Sequence, residues 1–138
     1  MNVHAILFAF ASVIFALPAL AADSVERAPP GGDYKKVSEL TKLPDFLPGL
    51  GTLYVDPKTL PTGPYLAYDR DGRLVSTVYM IPDKDITAKK RLDGLDAPGG
   101  RVDHVNMYHS GGHPGVEDPH YHVVLWHVAK ADEARVAR

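Results

Sequence analysis

Six of the seven histidines of this chain fall between residues 104 and 127: His104, His109, His113, His120, His122 and His127. Neutral imidazole is the commonest protein ligand for zinc, copper, iron and nickel, so this concentration points first to a metal centre. Side chains two apart on a strand share a face. His120 and His122 therefore project together, with Val124 and Trp126 beyond them, and Tyr121, Val123, Leu125 and His127 take the other face. The preceding segment divides in the same way: His104 goes with Val102, Asn106 and Tyr108, whereas Asp103 goes with Val105, Met107 and His109. Val105 and Met107 suit the apolar face of Tyr121, Val123 and Leu125. That match brings His104 to the side of His120 and His122, so that three imidazoles converge from neighbouring strands. Three protein ligands and one open position is the pattern of catalytic metal sites, and a fourth ligand closes the site into a structural one. The intervening loop offers that fourth ligand in His113 or Glu117, and Asn106 or Asp103 could orient the set. Zinc or copper is the ion such a set suits. His109 and His127 lie on the apolar face and read as structural or exposed. A cluster without metal, satisfied by hydrogen bonds or solvated, stands as the alternative, because a one-residue slip in register separates His104 from the pair.

Two extended segments must carry these ligands. Residues 101–108 (RVDHVNMY) read as a strand and residues 120–129 (HYHVVLWHVA) as the longest one. Between them, residues 111–115 (GGHPG) form a constrained turn sequence able to present His113 rigidly. The clearest hairpin lies earlier, where residues 64–69 (PYLAYD) and 73–81 (RLVSTVYMI) flank Arg70-Asp71-Gly72. Residues 51–55 (GTLYV) add a short strand, and residues 37–43 allow one or two helical turns before Pro44. Residues 83–95 suggest a short helix ended by Gly94. With twelve prolines and twelve glycines, the expectation is a mainly β domain over residues 37–138. It would be a small antiparallel β-barrel or sandwich with one or two short helices.

Residues 1–21 contain no Lys, Arg, Asp or Glu, and an apolar run over residues 5–17 precedes Pro18 and Ala19-Leu20-Ala21. That is the layout of a cleaved signal peptide, which places the domain in the periplasm or outside the cell and gives it no membrane contact beyond the export signal. Residues 22–36, with Pro29-Pro30-Gly31-Gly32, read as a flexible leader. Cysteine is absent, which rules out disulfides and thiolate chemistry. Net charge is only −2 with acids and bases interspersed, which gives no footprint for nucleic acid. No G-x-S-x-G elbow and no phosphate-binding glycine loop occurs.

The stretch from His104 to His127 has a strand beginning H-V, then G-H-P-G-x-x-x-P-H-Y and an aromatic strand. It resembles a family of small exported bacterial β-rich domains of unknown function, with weaker similarity in GTLYVDP and GPYLAYDRDGRLVSTVYMIP. The resemblance implies a β-rich fold, assembly into rings in some members, and special weight on Gly112-His113-Pro114 and Pro119-His120-Tyr121. It implies no activity. His122 stands where relatives carry acidic residues, so the resemblance does not extend the H-x-H pair to the family. Three classes of function remain open. One is a metal-binding domain of the cell envelope, as carrier or simple metalloenzyme. Another is a non-catalytic binder of a small apolar or aromatic molecule among Tyr65, Tyr68, Tyr79, Tyr108 and Trp126. The third is a homo-oligomeric assembly protein pairing its strand edges.

Overall fold

A computed structural model describes residues 24–138; the expected signal peptide, residues 1–21, lies outside them. Six antiparallel strands form one sheet in the order β1-β2-β3-β4-β6-β5. These are β1 (Lys35–Lys36), β2 (Thr52–Val55), β3 (Tyr65–Tyr68), β4 (Leu74–Pro82), β5 (His104–Ser110) and β6 (His120–Trp126), with short helices α1 (Val37–Leu40) and α2 (Asp83–Thr87). The mainly β, antiparallel expectation holds. A barrel does not: β1 has two residues and pairs only with β2, β5 pairs only with β6, and the two edges never meet. Nor, among the described residues, does a second sheet make a sandwich. The inner face is covered instead by α1, by Leu43, Phe46, Leu47 and Leu50 of the following loop, and by Val136 near the C-terminus. Among the described residues, no helix is long and apolar enough to cross a membrane.

β4 is the axis of the sheet because nearly every residue on it is apolar or β-branched, and both its faces are buried. On the inner face Val78 and Met80 meet Val124 and His122 of β6, and the core continues through Leu53, Val55, Tyr65, Ala67 and Trp126. On the outer face, Tyr79 donates a hydrogen bond to the Asp96 carbonyl, so the segment after α2 packs across the strand. That segment was expected to stay helical to Gly94. It leaves the helix at Ala88, and Lys89 takes a left-handed φ of 54°. Within residues 24–36, the backbone from residue 26 to 28 bonds to the β3–β4 hairpin through Leu74 N–H to Glu26 O and Ala28 N–H to Gly72 O, which gives these backbone groups partners.

The face assignment of the last two strands is the reverse of what the apolar pattern suggested. Along β6 the buried residues are His120, His122, Val124 and Trp126, while Tyr121, Val123 and Leu125 are half-buried. Val105 and Met107 on β5 are 54% and 66% exposed. The reason lies outside the two strands: the covering elements, residues 37–50 and the C-terminus, all pack on the histidine side.

Asp69 ties the hairpin to that cover. It is 5% exposed, and its Oδ1 accepts from the backbone N–H groups of Asp71 (3.0 Å) and Arg73 (2.8 Å). Its Oδ2 accepts from Arg135 Nε at 2.8 Å, which seats Val136 in the core. Burial alone would raise this carboxyl's pKa, but the Arg73 N–H and the Arg135 guanidinium outweigh burial and hold it below the usual range. Asp69→Ala strands several donors and a half-buried guanidinium, and is expected to cost about 2–4 kcal/mol. Urea unfolding checks this; a loss within about 0.5 kcal/mol, the range of ordinary surface changes, would remove Asp69 from this role.

Candidate metal centre

β5 and β6 pair with Ser110 opposite His120, Tyr108 opposite His122, Asn106 opposite Val124 and His104 opposite Trp126. His104 therefore shares the face of His120 and His122, as its spacing implied, but it sits at the other end of the hairpin. Antiparallel pairing sets the start of one strand against the end of the next, and four residues of strand put about 14 Å between His104 and His122. His104 is instead bound to Asp103 Oδ1 (2.9 Å) and Glu133 Oε1 (2.6 Å). Its ring stacks on Trp126 at 5.9 Å. Asp103 thus orients His104 and no metal ligand, and Asn106 is exposed.

The place opposite the pair is taken by His113. His120 Nε2 lies 2.9 Å from His122 Nε2 and 3.2 Å from His113 Nε2, and ligand atoms of all three residues fall within 4.8 Å of one another. Nitrogens bound to one ion at about 2.05 Å stand roughly 2.9–3.3 Å apart, for angles between 90° and tetrahedral. Each ring's other nitrogen is held from behind. His120 Nδ1 meets the Asp118 carbonyl at 2.7 Å, His113 Nδ1 the Pro114 carbonyl at 3.1 Å, and His122 Nδ1 the Tyr108 hydroxyl at 3.2 Å. A carbonyl only accepts, so His120 and His113, when neutral, carry their proton on Nδ1 and leave Nε2 bare. Two lone pairs then face each other across 3.2 Å. A cation between them is the arrangement that turns this repulsion into binding.

The loop that presents His113 is shaped by its glycines. His113 and Val116 exchange backbone hydrogen bonds (2.9 and 3.0 Å), closing a tight turn. Gly112 takes φ 117°, and a Cβ there would stand 2.2 Å from the Glu117 carbonyl oxygen, which leaves room for glycine alone. Glu117 itself is exposed and outside the cluster. Of the five expected ligands, the structure thus gathers His113, His120 and His122 and leaves His104 and Glu117 apart. His109 bonds to Asp83 at 2.9 Å, and His127 bridges Thr77 Oγ1 (2.8 Å) and the Arg101 carbonyl (2.9 Å).

Burial first, then the neighbouring His120 and His113, push the His122 pKa down to about 4, so this ring is neutral at pH 7, the state a ligand needs. The cluster borders an apolar cavity of about 550 Å³, with His113, His122 and Tyr108 in its wall. Sequence reasoning did not find Tyr108 as a partner of His122, although the register that pairs those positions was the signal. The two carbonyl partners and the cavity, whose other wall comes from residues 37–60, leave no mark in residue types.

The chain matches the model of the TTHB210-like family, described as "Hypothetical protein TTHB210", over residues 69–108. Among solved structures it is similar to the crystal structure of hypothetical protein TTHB210 from Thermus thermophilus. The two are 49% identical with a TM-score of 0.59, over 69% of this chain and 93% of that one. No match was found among curated proteins.

His104 and the cluster's His122 make stability respond to pH with opposite signs. His104 is raised above its ordinary 6.5, first by Asp103 and then by Glu133. Its contribution is full below about pH 6.5 and lost as pH rises through the raised value. His122 is lowered, so its contribution is present above 6.5 and lost between there and about 4. In metal-free protein, Glu133→Gln is therefore expected to lower Tm more at pH 6 than at pH 9. An equal loss at both would show that the His104–Glu133 contact carries no charge-linked stability.

Proposed function

The chain belongs to the TTHB210-like family, and we propose that it is an exported metal-binding domain holding one divalent transition ion, zinc or copper, on His113, His120 and His122. The supporting observation is the convergence of Nε2 atoms at 2.9 and 3.2 Å with the opposite nitrogens engaged by acceptors. The uncharged leader over residues 1–21 supports the exported half of this reading. Three neutral imidazoles leave an ion at least one position for water or a ligand. On such an ion bound water ionises near neutral pH, and a polar group of a bound molecule is polarised.

Elemental analysis of the protein purified without a histidine tag tests the site. Near-stoichiometric metal is expected, absent from a folded His120→Ala/His122→Ala variant and unchanged in His104→Ala. Gly112→Ala, whose added methyl would meet the Glu117 backbone rather than a ligand ring, should weaken metal affinity about tenfold or more by displacing His113. Occupancy should fall as pH drops through about 4, where His122 takes up its proton. Full occupancy well below that pH, or no uptake from zinc or copper solutions, would overturn imidazole ligation.

A second reading, assembly of several copies, draws on the outer face of β5 and β6. There Val105 and Met107 are exposed beside half-buried Tyr121, Val123 and Leu125, and β5 is a free edge. Solution mass at high dilution tests it: a monomer would end this reading and leave the metal site untouched.

A further inference from the structure

The cavity beside the histidine cluster has an uneven chemistry. Its wall holds Leu43, Leu47, Leu50, Leu53, Val55 and Met80, and no Asp, Glu, Lys or Arg contributes to it. Its polar groups gather at the cluster. Of the other large polar residues in the wall, Tyr65 donates to the Pro61 carbonyl at 2.8 Å and His109 bonds to Asp83 at 2.9 Å. Leu40 and Leu60, 45% and 46% exposed, stand where the cavity meets solvent.

Charge decides what such a cavity takes. Three neutral imidazoles do not offset the double charge of an ion, and no carboxylate joins the cluster among the described residues. Asp118 gives only its carbonyl to the cluster, and its carboxylate pairs with Lys84 at 2.7 Å. Glu117 is exposed. A divalent charge at the edge of an apolar space is costly without an anion beside it. We propose that the site takes a single-headed apolar anion, a medium-chain carboxylate whose head ligates the metal and whose hydrocarbon body fills the cavity. A space of 550 Å³, at about 30 Å³ per water-sized group, holds roughly eighteen such groups, room for the head and a body of about eight to twelve carbons. The proposal rests on the metal reading above and adds the ligand class.

The full protein loaded with cobalt(II) in place of zinc supplies the test, because the ion's visible absorption reports its ligands. Decanoate should shift that spectrum and bind at least about a hundredfold more tightly than acetate, since each buried methylene is worth about a fourfold gain. Octan-1-ol, with the body and no charge, should bind at least about tenfold more weakly than octanoate. Leu40→Asp, a change at a half-exposed position, should weaken decanoate about tenfold while leaving the metal-only spectrum unchanged. Cobalt uptake with no response to decanoate, by spectrum or calorimetry, would overturn the ligand and leave the metal reading intact. So would decanoate binding without a spectral shift, or acetate binding as tightly as decanoate. Failure of cobalt to bind would overturn both.

Discussion

Bare imidazole nitrogens that face one another inside a protein repel, and something must hold them there. In this fold the restraint comes from behind each ring: the Asp118 and Pro114 carbonyls fix two tautomers, and the Tyr108 hydroxyl stands behind the third. Those partners depend in turn on the backbone. Asp83 N–H bonds the Pro119 carbonyl at 3.0 Å and so anchors the entry to β6. The turn from His113 to Val116 closes on itself, and Gly112 allows the chain to pass against residue 117. The sheet supplies the rest by setting Tyr108 across from His122.

One hairpin face carries a lone histidine and a histidine cluster of opposite character. At one end His104 has two carboxylates and a tendency to stay charged; at the other His122 has apolar surroundings and like neighbours, and stays neutral. Same residue type, same strand pair, same face: the difference is made by what packs on top. Glu133 arrives from the C-terminal segment at one end, and Leu43, Leu47 and Val116 share an apolar cavity wall with His122 at the other. Environment, more than identity, assigns these rings their chemistry.

What could be read from the sequence follows the same line. Local patterns were legible. The hairpin around Arg70-Asp71-Gly72 and the two strands bearing the histidines could be read directly, as could the shared face of His104, His120 and His122. These depend on neighbours in sequence and on the two-residue period of a strand. The buried face was misread because Tyr121, Val123 and Leu125 look more like core than His120 and His122. Only the position of residues 37–50, set by tertiary packing, reverses the order. The third ring of the cluster was misplaced for a related reason. Sharing a face says nothing of position along the strand, and His104 fails on position where His113, in a loop whose course no period describes, succeeds. The open sheet was not legible either, because closure depends on whether two edges meet, and the two-residue β1 leaves nothing in the pattern.

The three clustered rings come from one short stretch, residues 113 to 122, whereas the cavity beside them is walled largely by residues 37–60. A ribosome delivers the N-terminal part first. The apolar wall therefore exists as chain well before the residues that would hold an ion, and a truncated polypeptide ending short of His120 has no paired imidazoles at all. Any ion capture would thus wait for the last hairpin to emerge, the one that brings the three rings to a wall whose chain is already there.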